Sequence, residues 1–181
     1  MYSVEQKQGK TLIELLVVMI ILGIVLTLAA PSIKQLRANM EAKRIRAQLF
    51  STLKQARSES YITRQNILFC LAAGSGICQK DNGKLLLLFV DKNNNKRFDT
   101  LSDQLILKEA LNLKYATLRL RASGHAYVKF FGSTGTPKGY QGHVKYCPTN
   151  SDPNLMYQVS FNLLGGLKYK PNQQHATGCD K

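Results

Sequence analysis

Gly9-Lys10-Thr11-Leu12-Ile13-Glu14-Leu15-Leu16-Val17-Val18-Met19-Ile20-Ile21-Leu22-Gly23-Ile24-Val25-Leu26-Thr27-Leu28-Ala29-Ala30-Pro31 is the stretch on which the rest of the chain depends. From Leu12 to Ala30 it is almost wholly apolar, close to the about 20 residues that a helix needs to cross a bilayer. A cleaved secretory signal has a shorter apolar region followed by a small-x-small site. The only such site here is Leu28-Ala29-Ala30, and Pro31 directly behind it obstructs cleavage, so the stretch reads as a retained membrane helix. Glu14 breaks the run. A carboxylate buried in lipid costs about 2.5 kcal/mol or more, so Glu14 calls for a cationic partner.

Beyond Pro31 the period stays helical. Ala38, Ala42, Ile45, Leu49, Leu53 and Ala56 recur at threes and fours, with Lys43, Arg44, Arg46, Lys54, Arg57 and Glu59 between them. The pattern predicts one long helix from Thr11 to about Ile62, kinked at Pro31. Its first half is apolar all round, which asks for lipid or partner helices. Its second half is apolar on one side, which asks for a domain packed against it.

From Gln65 the period shortens. Residues 67–71 and 85–90 are compact apolar runs bounded by Gly, Asn and Asp, as buried strands are. Further strands are expected at 105–107, 117–122, 127–131, 144–147, 156–161 and 167–170, with glycines and prolines at the turns. A long helix leading into many short strands predicts an α+β fold with an antiparallel β domain. The 181 residues allow for one modest globular domain beyond the helix.

The Gly-x-Thr-Leu-Ile-Glu-Leu string at Gly9–Leu15 resembles the N-terminus of type IV prepilins and type II secretion pseudopilins. That resemblance implies a leader over residues 1–9 and cleavage by prepilin peptidase between Gly9 and Lys10. It also implies N-methylation of the new Lys10 amine, and an assembly role for Glu14. Residues 10–31 then form the transmembrane and filament-core helix, 32–62 its amphipathic half and 63–181 the β-rich domain. Lys10 is a departure, since that position is usually Phe. The strand order, the Asp/Asn-rich segment 91–99 and the Gly165-Gly166-Leu167-Lys168 string are similar to the GspH/FimT group. That group often carries Gly-Arg-x-Arg where this chain has Gly-Gly-Leu-Lys.

The resemblance implies an oxidising compartment, which favours disulfides Cys70–Cys78 and Cys147–Cys179, with zinc as the competing use of the four cysteines. The partners it implies are major and minor pilins, the inner membrane and prepilin peptidase, with the C-terminal domain periplasmic and later on an extracellular pilus. The function expected is that of a type IV pilus minor pilin, with a pseudopilin of type II secretion as the alternative. Lys7 and Lys10 before the helix are outnumbered by Lys34, Arg37, Lys43, Arg44 and Arg46 after it, so the positive-inside rule does not support that orientation.

A formal net charge of +14 favours anionic partners. Arg119 and Arg121 alternate with leucines, as do Lys168 and Lys170 with Leu167 and Tyr169. With Lys129 and Lys145 they make a candidate DNA-binding face. Asp91, Asn93, Asn95 and Asp99 have the alternate spacing of a calcium loop, but Lys96 replaces its glycine and Ser102 its final Glu. An Asx-rich turn explains the same residues more simply. His125, His143 and His175 are scattered, with no spacing to a nucleophile or carboxylate, and read as surface or locally bonded. No cofactor and no enzymatic activity are expected.

Overall fold

The computed structural model describes residues 11–74 and 76–179. The chain divides into two units, Met1–Ala38 and Asn39–Lys181. Helix α1 (Leu12–Thr63) begins in the first, and its helical assignment runs through Pro31 into the second.

From Leu12 to Leu26 the apolar side chains of the first unit have no protein cover. Large hydrophobics from Leu12 to Leu26 range from 45% (Val18) to 82% (Leu12) exposed, on every side of the helix. Such a surface is stable only when something apolar surrounds it. The helix is long and apolar enough to cross a membrane. Its interior hydroxyl is satisfied locally, with Thr27 Oγ1 donating to the Ile24 carbonyl at 2.8 Å.

In the second unit the remaining helix lies against two antiparallel sheets. Ala42, Ile45, Leu49, Thr52, Leu53, Ala56 and Ser60 are buried, so the spacing of threes and fours does mark the packed face. The first sheet runs β1 (Ile67–Ala72), β3 (Leu85–Val90), β4 (Gln104–Ala110). The other edge of β1 is shared, end to end, by β6 (Tyr127–Phe130) along Ile67–Cys70 and β2 (Cys78–Gln79) along Leu71–Ala72. The second sheet has the order β5 (Ala116–Ala122), β7 (Gly142–Pro148), β8 (Tyr157–Phe161), β9 (Leu167–Pro171). Eight of these nine strands coincide with expected ones. Two-residue β2 carries no periodic signal of its own. Its continuation closes the edge of β5, with Leu120 N–H donating to the Lys80 carbonyl at 2.6 Å and Asn82 N–H to that of Leu118 at 3.0 Å.

Both faces of β1 are buried. Leu68, Cys70 and Ala72 join Leu87 and Phe89 in a cluster that Phe98, Cys78 and Tyr127 pack against. The Phe89 and Phe98 rings meet edge to face, 5.6 Å between centroids. Phe98 therefore gives the segment between β3 and β4 a structural task, that of covering the sheet.

One buried acid ties helix to strands. Glu41, 7% exposed, accepts the Lys114 N–H at 2.7 Å through Oε2. Its Oε1 accepts the Tyr115 N–H at 3.1 Å and the Tyr146 hydroxyl at 3.1 Å. Burial, and then the Glu41 charge, push the Tyr146 phenol up, so it remains the donor. Tyr146 stacks on Tyr157 at 4.9 Å, and the Tyr157 hydroxyl donates to the Ala42 carbonyl at 2.9 Å.

Candidate functional site

The first candidate lies at the start of α1. Thr11-Leu12-Ile13-Glu14 has the S/T-x-x-E spacing of a capping box. Glu14 N–H points back to Thr11, 3.1 Å from its carbonyl oxygen and 3.4 Å from Oγ1. A carboxylate in the first turn also complements the partial positive charge of the helix N-terminus. Glu14 is exposed and thus open to a cation supplied from outside the chain. Gly9 and Lys10, the expected cleavage and methylation positions, lie outside the described residues.

The second candidate is the face of the second sheet turned away from the helix. Strand register sets Arg119, Lys145, Gln158 and Lys170 in one row across all four strands. Arg121, His143, Ser160 and Lys168 form the next row. Adjacent strands are about 4.8 Å apart, so these charges are near neighbours. Burial, then the Arg121 and Arg119 guanidiniums, push the Lys145 ammonium down from the ordinary lysine value. Gly142 lets β7 begin hard against β5, because a side chain there would collide with the Arg121 carbonyl.

Five of the six residues expected on a DNA-binding face are thus brought together. Lys129 is not. It lies on β6 of the first sheet, where its ammonium sits 5.2 Å from the centre of the Phe131 ring. Alternation within a strand could not reveal that β6 pairs with β1 rather than with β5. The face also has members that sequence reasoning missed. His143, expected to be a surface or locally bonded histidine, is half-buried among cations, and His143-Val144-Lys145 alternation was the signal that could have placed it. Asp81 pairs with Arg121 at 2.9 Å, both half-exposed, so that bond adds well under 1 kcal/mol of stability.

The C-terminal segment crosses part of this face. Lys145 Nζ donates to the Gly178 carbonyl at 3.2 Å, and Cys179, Cys147 and Met156 form a small buried cluster. Cys147 and Cys179 are bonded, as are Cys70 and Cys78, with S–S distances of 2.08 and 2.04 Å. All four sulfurs are used, and no thiolate is left for zinc.

The Asp91–Asp103 segment spends its oxygens on itself. Asp91 accepts from the Asn95 and Lys96 N–H groups at 3.1 and 2.9 Å. Asn95 Oδ1 accepts from Arg97 N–H at 2.8 Å. Asp103 accepts from Lys92 and Asp99 N–H at 3.0 and 2.9 Å. The Asn95 and then the Asn93 amides donate to Asp99 and hold its carboxyl below the usual range. This is the Asx-turn arrangement. Among the described residues no group of three His, Cys, Asp or Glu side chains is placed to hold a metal ion.

An uncovered apolar helix with a glutamate in its first turn, continuing into an antiparallel two-sheet domain, defines a membrane-anchored subunit of the pilin class. Comparison with known families specifies it further. Residues 6–30 match the prokaryotic N-terminal methylation motif, and residues 47–165 match the family described as type II transport protein GspH. The chain belongs to the GspH family. It follows that its associates are other pilin-like subunits and the membrane machinery that assembles them. No curated protein and no solved structure matches it.

Proposed function

We propose that the chain is a minor pilin of a type IV pilus, a non-enzymatic subunit that joins or primes the filament near its tip. In this reading prepilin peptidase removes residues 1–9 and methylates Lys10. The β domain faces the periplasm and later sits on an extracellular pilus. The observation that carries the proposal is the wholly exposed apolar surface of residues 12–26, with Glu14 in its first turn. A buried N-terminal ammonium on a neighbouring subunit would need a countercharge, and Glu14 supplies one. Glu14→Ala should abolish co-purification with partner pilins while leaving the chain in the membrane; wild-type recovery of partners would sink the assembly role. A deletion strain scored side by side for twitching, secretion and DNA uptake separates this reading from a type II secretion pseudopilin. Loss of secretion with intact twitching would favour the pseudopilin.

The clustering of five cations on one sheet face favours a second role, sequence-independent contact with DNA phosphates. Gel shifts across a salt series test it. Arg119→Ala or Lys170→Ala should each lower the slope of log affinity against log salt by about 1. Lys129→Ala should leave the slope unchanged, since Lys129 lies on the other sheet. No shift at low salt would refute DNA contact.

A further inference from the structure

His143 stands among cations on its own strand and on β5 and β9. Arg119 and Arg121 stand on β5, Lys145 on its own strand, Lys168 and Lys170 on β9. His175 reaches it electrostatically from the C-terminal segment. The neighbouring strand β8 contributes only Gln158 and Ser160, both uncharged. At the end of the strands His143 opens into a cleft of about 290 Å³ also lined by Lys80, Arg121, Ser123, His125 and Gln141. The carboxylate beside this group, Asp81, is engaged by Arg121.

The imidazole is therefore kept neutral. Burial first, then Lys145, Lys170, Arg121 and His175, push it down to about 4. Its Nε2 is nevertheless buried and without a hydrogen-bond partner. A buried polar atom of this kind calls for a partner, and here the surrounding charge selects its sign. An anionic oxygen seated on the face would offset the neighbouring cations and so favour a protonated ring.

We propose that this face is a proton-gated phosphate site, in which a phosphodiester backbone and a proton on His143 bind cooperatively. The proposal rests on the reading of the face as a DNA contact surface and adds its regulation. The sign follows from reciprocity, since a ligand that favours the protonated ring is itself favoured by protonation. The bound ligand raises the midpoint of His143 above its free value, so affinity tightens as pH falls through the midpoint of the complex toward about 4. Above the midpoint of the complex His143 is neutral with or without ligand and adds no pH dependence. With a free midpoint of about 4, a rise of about two units makes binding at about pH 5 about tenfold tighter than at about pH 7.5.

The test is a proton NMR titration of the His143 ring in the full chain in non-ionic detergent. It is run alone, with a random-sequence DNA duplex, and with inorganic pyrophosphate. Saturation with either probe should raise the His143 midpoint by about two units. His143→Gln should remove the pH step from duplex binding measured in parallel. Duplex bound at neutral pH with an unmoved midpoint, or a His143→Gln protein that keeps the tenfold step, overturns the gate and leaves the DNA reading standing. A midpoint raised by pyrophosphate in a protein that binds no duplex supports the gate and refutes DNA as its ligand. If neither probe binds at either pH, gate and DNA reading both fail.

Discussion

Glu41→Ala should lower the unfolding free energy by about 3–4 kcal/mol, a large share of the stability of an ordinary domain. The replacement strands three donors at once, the Lys114 and Tyr115 amides and the Tyr146 hydroxyl. Tyr146 is fully buried, so water cannot take the place of the lost acceptor without disturbing its stack on Tyr157. The two amides lie in the connection between β4 and β5, where the chain passes from one sheet to the other. Loss of the carboxylate loosens that crossing as well as the helix contact. Glu41→Gln keeps the shape and one acceptor oxygen but turns an amide donor toward donors, and should cost about 2 kcal/mol. Urea unfolding with an unchanged slope checks both. A Glu41→Ala midpoint within error of wild type would show that the three bonds are replaced by solvent.

Opening the Cys147–Cys179 bond by paired alanine substitution should cost about 3–4 kcal/mol, the loop-closure value for the 32-residue separation it spans. For a domain of this size that is a fall in melting temperature on the order of 10 °C. The two cysteines are only 4% and 6% exposed and share their cluster with Met156, so the loss includes packing as well as chain entropy. The effect extends to the basic face. Lys145 donates to the Gly178 carbonyl, one residue before Cys179, and release of the segment would return that ammonium to water. Differential scanning calorimetry of the paired variant, with and without reductant on the wild type, measures the effect. Equal melting temperatures would mean that the C-terminal segment is held by its other contacts, such as Thr177 N–H to Asn172 Oδ1 at 2.8 Å.

Most strands were legible because each is a short apolar run between turn residues, a local property. Edge strand β4 was read too short, as 105–107 rather than Gln104–Ala110. Its side chains are largely exposed, and Lys108 and Glu109 interrupt the apolar signal. Thr11-x-x-Glu14 shows how a motif noticed for one reason can serve another. The same string that the family pattern marks for assembly also opens the helix, with Glu14 N–H turned back to Thr11 Oγ1. Glu41 stands on the apolar stripe, three residues after Ala38 and four before Ile45, but an acid there gives no sign of being buried, since acids are ordinarily solvated. Its partners are 73, 74 and 105 residues away in sequence.

What the chain determined by itself was everything governed by local period and composition. That covers the apolar first half of α1, the buried stripe from Ala38 to Ala56, the α+β class and the alternation that puts Arg119 beside Arg121 on one side of a strand. Tertiary structure alone decided which strands became neighbours. Pairing β5 with β7, and β9 with β8, set Arg119, Lys145 and Lys170 in one row around a neutral His143, while pairing β6 with β1 removed Lys129 to the other sheet. The reason is physical. A strand's own residues dictate which side chains share a face, but the partner at its edge is chosen by how two sheets bury their apolar faces against a helix, and no single stretch of sequence carries that choice.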